Sequence, residues 1–437
     1  MSQRRERPAG GEPPLSGGST RALAVCVVLL GLTLPPAAAQ WTQWRGPERD
    51  GHAPGLAAPD AWPAELERRW RVEVGRGHAS PLVDGGTIYL FVRDGEADRV
   101  EARRLEDGGL VWRAEDPAPY RPSHHAAEHG AGPFSTPLLH GGVLYTYNIR
   151  QRLNAWSAAD GSRLWSRDFG DEFEHPHPTY GNSQSPVIAD GVLVVHAGNP
   201  GDGALFGLDP LSGEERWRID GDGAAYGSFL PTSLGGVEQL VGFTQRRLVG
   251  LDARRGHLLW EVAYDVPYDN TVVTPVVHGD AVVVAAWQTP LRAYRVSRGA
   301  GSWSVEVAWE NDEIAVQHAS PVLVGGRLFG HSHRNGGQLY AVDATGGVTV
   351  WLGPPRQGDE QAVLVAASPW VLTFRQDGQL EILDARAADY RPARTYRLTD
   401  AELWAHPAVW AGHLLVKDRT TLALFGLDAR REAAVRP

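Results

Sequence analysis

One cysteine and one methionine in 437 residues is the first thing the chain lacks, and Cys26 lies near the N-terminus. Arg4, Arg5 and Arg21 precede an apolar run from Ala22 to Leu34, and Ala37-Ala38-Ala39 follows it as a small-residue cleavage pattern. This reads as a secretory signal over residues 1–39. Cleavage there would leave a mature protein without cysteine, which excludes disulfides, thiol catalysis and cysteine metal sites. Val25 is bulky, and the apolar run follows Cys26, so the lipid-attachment pattern is not met. Lysine is nearly absent as well, since Lys417 is the only one. A net charge of −10 excludes a nucleic-acid partner, because phosphate binding needs a basic footprint. No apolar run is long enough to span a bilayer, so no transmembrane anchor is expected. No Ser-His-Asp set, phosphate loop or pair of carboxylates at a credible spacing is found.

What the chain has is repetition. Eight times it runs through Ser/Thr-Pro, a Gly turn, a β-branched stretch, a Leu/Val-x-x-Asp segment, a small turn and a Trp. Clear copies are Ser185-Pro186…Leu208-Asp209…Gly213…Trp217 and Ser320-Pro321…Val342-Asp343…Trp351. The copies are marked by Pro81, Pro137, Pro186, Pro231, Pro275, Pro321, Pro369 and Pro407. A period in the forties built of short strands describes propeller blades. The repeated Trp residues are Trp112, Trp165, Trp217, Trp260, Trp309 and Trp351, with Tyr396 standing in for the seventh. Each is large enough to fill the wedge between blades.

The eighth copy ends at Leu427-Asp428 without its Trp strand, and Arg69-Trp70-Arg71-Val72-Glu73-Val74 supplies that strand from the other end. Closure removes two open sheet edges. The expectation is an all-β, eight-bladed propeller of four-stranded antiparallel blades over 69–428. Residues 40–68 form an extension, with Trp41 and Trp44 anchored in inter-blade grooves across the ring. Residues 429–437 form a tail, and the protein is expected to be monomeric.

The blade repeat, in Leu208-Asp209-x-x-x-Gly213-x-x-x-Trp217 and Leu251-Asp252-x-x-x-Gly256-x-x-x-Trp260, resembles that of the pyrroloquinoline quinone (PQQ) propeller superfamily. The resemblance covers about four fifths of the chain. One branch holds quinoprotein dehydrogenases, and another holds non-enzymatic propellers of the BamB outer-membrane assembly type. Trp41-Thr42-Gln43-Trp44-Arg45-Gly46-Pro47 is similar to a segment of exported PQQ-like propellers of uncharacterised role. The dehydrogenase branch implies PQQ over calcium, an Asp base and usually a vicinal disulfide, which this chain cannot form.

Strand order places His78, His124, His125, His129, His175, His177, His196, His318, His331, His333 and His406 on one rim. His140, His257, His278 and His413 fall on the other. His78 and His318 stand two residues before their Ser-Pro, and Phe134 and Ser183 hold the same place elsewhere. These should ring the channel mouth. His78, His318, His331, His333 and Gln184 are therefore the candidate cofactor-binding residues. His125-x-x-Glu128-His129 is a candidate divalent-metal set if it forms a helical turn. A second His-rich loop runs from Glu174 through His175 and His177 to Asn182. The leading expectation is an exported, periplasmic or extracellular, non-enzymatic scaffold, with no cofactor required. It would bind a protein or other envelope macromolecule through this His- and Arg-rich loop face. The alternatives are a PQQ-dependent oxidoreductase and a metal- or carbohydrate-binding module.

Overall fold

In the computed structural model eight antiparallel sheets form a closed ring. It describes residues 40–53, 56, 62–170, 172–173, 178–199, 201–356 and 361–427. Seven blades take their four strands from consecutive sequence. Blade 3, for example, uses Val187–Ala189, Val192–Asn199, Asp202–Leu208 and Glu215–Gly221. Blade 8 uses Ala408–Trp410, His413–Lys417 and Thr421–Gly426, and its outer strand is Glu67–Glu73 from the N-terminal side. Trp70 pairs with Leu424 and Val72 with Leu422. The ring is closed by the strand that the incomplete eighth copy called for.

The repeated Trp and Gly form one device. Trp70, Trp112, Trp165, Trp217 and Trp309 each donate their indole N–H to a carbonyl of the next blade, on Leu105, Ala158, Pro210, Ala253 and Ala344, at 2.8–3.1 Å. In three of the five the receiving residue follows the repeated Asp, as Pro210, Ala253 and Ala344 do, and in all five the repeated Gly lies beneath the incoming ring. Gly161 has φ +76°, and a Cβ there would stand 2.5 Å from the Trp112 ring. Gly213 has φ +74°, and a Cβ there would stand 2.7 Å from the Trp165 ring. Glycine is required twice over, for the left-handed turn and for the space. Three blades depart from the rule. Trp260 bonds Gln239 of its own blade, Trp351 packs on Tyr390, and Tyr396 donates to Pro63.

The Ser/Thr of the Ser/Thr-Pro signal has its own task. Ser80 N–H donates to Thr136 Oγ1, Thr136 N–H to Ser185 Oγ, and Ser185 N–H to Ser228 Oγ. Thr274 N–H donates to Ser320 Oγ. Each hydroxyl satisfies a buried backbone donor of the preceding blade, a group that would be costly to leave unpaired. This register shows that Ser228-Phe229, not Leu230-Pro231, is the blade 4 counterpart of Ser-Pro. It also corrects blade 7. Its first strand is Ala362–Ala367, so Pro369 falls in the turn before Trp370–Arg375 and opens no strand.

The N-terminal extension takes a different path from the expected one across the ring. Gln40–Trp41 adds a fifth, innermost strand to blade 1, and Trp41 is fully buried. The chain then winds through the channel. Thr42 O accepts from Leu139 N–H of blade 2, and Trp44 donates to Thr274 Oγ1 of blade 5. Arg49 donates to Ser185, Pro186 and Phe229 carbonyls of blades 3 and 4. Arg45 reaches the Pro321 carbonyl of blade 6. Ala53 and Gly51 pair with Ala366 of blade 7, and Trp41 stacks on His406, 5.9 Å away, beside blade 8. Every blade is touched. Arg45 and Arg49 both hold left-handed φ near +60°, tight turns from which their guanidinium groups reach different blades.

Candidate functional site

The connections between blades meet at the channel mouth and enclose a cup of about 580 Å3. Trp44, from the segment filling the channel, lies in its lining and closes it from below. The position two residues before each Ser/Thr lines the wall. It is His78, Phe134, Ser183 and Tyr226 in blades 1 to 4. It is Val272 and His318 in blades 5 and 6, then Gln361 and Trp404 at the corresponding places in blades 7 and 8. Glu128, His129, Tyr180, Asn270, Gln317 and His333 complete it.

Aromatic rings organise the wall. Trp404 stacks on His78 with centroids 5.2 Å apart and planes 10° apart, and His78 stacks in turn on Phe134 at 5.0 Å. His129 and His318 meet Trp404 edge-on at 5.3 and 5.7 Å. Burial, the nearby Lys417 charge and neighbouring imidazoles hold His78 below the usual imidazole range. Burial and the His129 and His333 rings do the same for His318. These side chains are neutral near pH 7, so each offers one donor and one acceptor.

The candidate residues divide. His78, His318 and His333 face the cup. His331 is buried behind it, its imidazole pushed down to about 3 by burial and the Arg375 charge. Gln184 is buried too, and its amide is used inside the fold. It donates to Gly227 O at 2.9 Å and accepts from His196 N–H at 3.1 Å, joining blade 3 to blade 4. Neither reaches the cup, because the strand alternation turns both inward.

The segment His124–His129 does form a 3-10 helix. Glu128 and His129 approach to 3.7 Å, while the exposed His125 packs against His124 at 5.7 Å. His129 turns away into the cup, so the three residues are not gathered into one ligand set. Among the described residues no three His, Cys, Asp or Glu converge to hold a metal ion. Glu174, His175 and His177 lie outside the described residues.

PQQ is a flat tricarboxylate, and its three charges call for cations or a metal to neutralise them. Among the described residues no Arg or Lys lines the cup, and Glu128 is the only carboxylate there. The residues present do not fit that cofactor with its calcium. His78, His129, His318 and His333 line the cup, while His196, His331 and His406, expected on the same rim, are buried in the fold, and among the described residues no arginine lines the cup.

Sequence reasoning missed Tyr226, Gln361 and Trp404 as wall residues, and Trp44 as the floor. Spacing from the Ser/Thr, rather than from Pro, was the signal for Tyr226. The sole lysine was also passed over as a structural element. Lys417 is buried and donates to the Gly77 and Asp418 carbonyls at 2.6 and 3.2 Å, tying blade 8 to the approach to His78. Burial lowers its ammonium to about 8.

A family model described as outer membrane protein assembly factor BamB matches residues 96–352. The protein of that name from Yersinia pestis is 24% identical over 301 residues, covering 64% of this chain and 69% of the relative. That from Nitrosomonas eutropha is 23% identical over 254 residues, 55% of each chain. Among solved structures, BamB from Moraxella catarrhalis aligns with a TM-score of 0.60 at 15% identity, over 85% of this chain and all of that one. Quinohemoprotein alcohol dehydrogenase from Comamonas testosteroni aligns with a TM-score of 0.66 at 13% identity, over 91% of this chain and 82% of that one. At these identities the solved structures establish a shared fold.

Proposed function

Because the chain belongs to the family of the outer membrane protein assembly factor BamB, we propose that it is an exported scaffold that binds an envelope macromolecule through its loop face, by recognition and not catalysis. One observation carries this reading. The inter-blade connections converge on a cup whose wall carries seven residue types at eight equivalent positions and whose lining includes Trp44 of the chain's own N-terminal segment. A rigid ring that carries varied side chains at one mouth is built for recognition. The relatives' name, assembly factor, describes a binding task rather than a reaction. Export is supported by the basic and apolar leader with its small-residue boundary. Among the described residues no helix is long and apolar enough to cross a membrane.

The quinoprotein reading rests on the shared fold alone, since the cup lacks the charges that PQQ and calcium require. Calorimetric titration of PQQ with calcium is expected to give no saturable heat. The scaffold reading is tested by retention on isolated envelope fractions. Gln317→Trp fills the cup and should abolish retention. Leu211→Arg, at an exposed turn of the opposite rim, should leave it unchanged. Equal retention of both variants would refute the assignment of the binding face.

A further inference from the structure

The polar groups of the cup are largely unused by the fold. Among the described residues the side chains of His78, His318, Gln317 and Asn270 make no hydrogen bond. Polar groups are normally satisfied inside a protein, so a ring of unspent donors and acceptors around a cavity is ligand-binding capacity. Its character is specific. Neutral imidazoles and carboxamides both donate and accept, as a hydroxyl group does. Among the described lining residues fixed charge is confined to Glu128, which opposes anions. Between these groups stand aromatic faces, Trp44 below and Trp404 and Tyr180 at the side.

A second aromatic platform stands outside the cup. Tyr268 is 82% exposed and sits at φ 60°, ψ 22°, a left-handed conformation that is costly for a bulky residue. Its ring packs on Trp287 with centroids 5.3 Å apart. It belongs to the same inter-blade connection as Asn270, two residues further on, which lines the cup. The strained, exposed Tyr268 on the half-buried Trp287, beside a cup of unspent hydroxyl-matching groups, extends the surface beyond one sugar-sized unit.

Resting on the scaffold reading above, we propose that the envelope macromolecule bound by the loop face is an uncharged polysaccharide. One pyranose unit enters the cup, stacks on its aromatic wall and bonds Gln317, Asn270, His78 and His318 through its hydroxyls. The chain leaves over Tyr268 and Trp287. The alternation of apolar C–H faces and equatorial hydroxyls in a pyranose matches aromatic faces alternating with two-way polar groups. A peptide ligand would instead look for free backbone groups or charges.

The test uses the mature protein and immobilised cello-, malto-, chito- and mannotetraose beside sulfated counterparts, with intrinsic tryptophan fluorescence as a second readout. At least one neutral tetrasaccharide should bind saturably and shift the emission, and the sulfated forms should not. Gln317→Ala should weaken binding about tenfold and Tyr268→Ala several-fold, with thermal unfolding unchanged in both. No binding to any neutral tetrasaccharide, binding only to sulfated ones, or binding indifferent to both substitutions would overturn the proposal. If envelope retention is lost in Gln317→Trp while no saccharide binds, the scaffold reading stands and the saccharide assignment falls. If neither is seen, both fall.

Discussion

The outer belt and the inner mouth of this ring are built from the same eight repeats and treat them in opposite ways. At the belt the blades copy one another, with Trp112 on Gly161, Trp165 on Gly213 and Trp217 on Gly256. At the mouth, equivalent positions carry His78, Phe134, Ser183, Tyr226, Val272 and His318. The belt solves one packing problem repeatedly, since adjacent sheets meet at the same angle each time. The mouth has no common packing problem, because its side chains point into a cavity. Uniformity therefore marks where the ring is held together, and variety marks where it is free to recognise something.

The largest effect that sharpens this contrast is expected at the seal between the two regions. Arg49 supplies three hydrogen bonds to carbonyls of blades 3 and 4 from a buried site, where its guanidinium is lowered to about 9 by burial and by Arg45. Arg49→Ala should cost about 3–5 kcal/mol, since charged hydrogen bonds contribute about 1.5–3 kcal/mol each and desolvation offsets part of this. Urea unfolding would measure it. In the belt, Gly213→Ala should cost about 2–4 kcal/mol from left-handed strain and overpacking against Trp165. Saccharide and envelope binding should survive both substitutions wherever the ring stays folded. A belt variant that folds yet loses binding would break the division.

Between belt and mouth, Ser185→Ala removes the acceptor for the buried Thr136 N–H and should cost about 1–3 kcal/mol. At the mouth itself, Gln317→Ala should change stability by less than about 0.5 kcal/mol while weakening ligand binding. Buried histidines set the response of the ring to acid. His196, His331 and His406 are buried, and burial holds them at about 4, 3 and 3. The unfolded chain takes up their protons near pH 6.5 and the folded chain does not. Stability is therefore complete above pH 6.5 and falls on acidification by about 1.4 kcal/mol per unit for each histidine. Asp98, raised to about 6 by burial, acts in the opposite sense between about pH 6 and 4, one group against these three and the wall residues His78 and His318, held at about 3 and 4. Denaturant melts at pH 7 and pH 5 should show a net loss. Equal stability would contradict the buried placement of these rings.

The smallest effect is a labelling pattern. Lys417 is the only lysine and is buried on the Gly77 carbonyl. An amine-reactive reagent should modify the folded chain at the N-terminus alone and Lys417 only after unfolding, as read by mass spectrometry.

Much of the belt was legible because identical packing leaves identical residues, and the incomplete eighth copy announced its missing strand at Trp70. The mouth was legible at His78, Phe134, Ser183 and His318, where Ser/Thr-Pro survives, while Val272 before Thr274-Pro275 was passed over because an apolar residue carries no binding signal. Blade 4 has Ser228-Phe229 in that place, blade 8 has His406-Pro407, and in blade 7 Pro369 marks a turn instead of a strand start. Tyr226, Trp404 and Gln361 were hidden for that reason. The path of Trp41 to Ala53 was not legible at all. Its partners are mostly backbone carbonyls, which leave no mark in a sequence.

Photo-crosslinking from the two rims, with the probe placed at Gln317 or at Leu211 and the protein mixed with envelope material, tests the account most directly. The account predicts an adduct to an envelope macromolecule from Gln317, suppressed by the tetrasaccharide that binds best, and none from Leu211. Adducts from Leu211 alone, or equally from both positions, would contradict it.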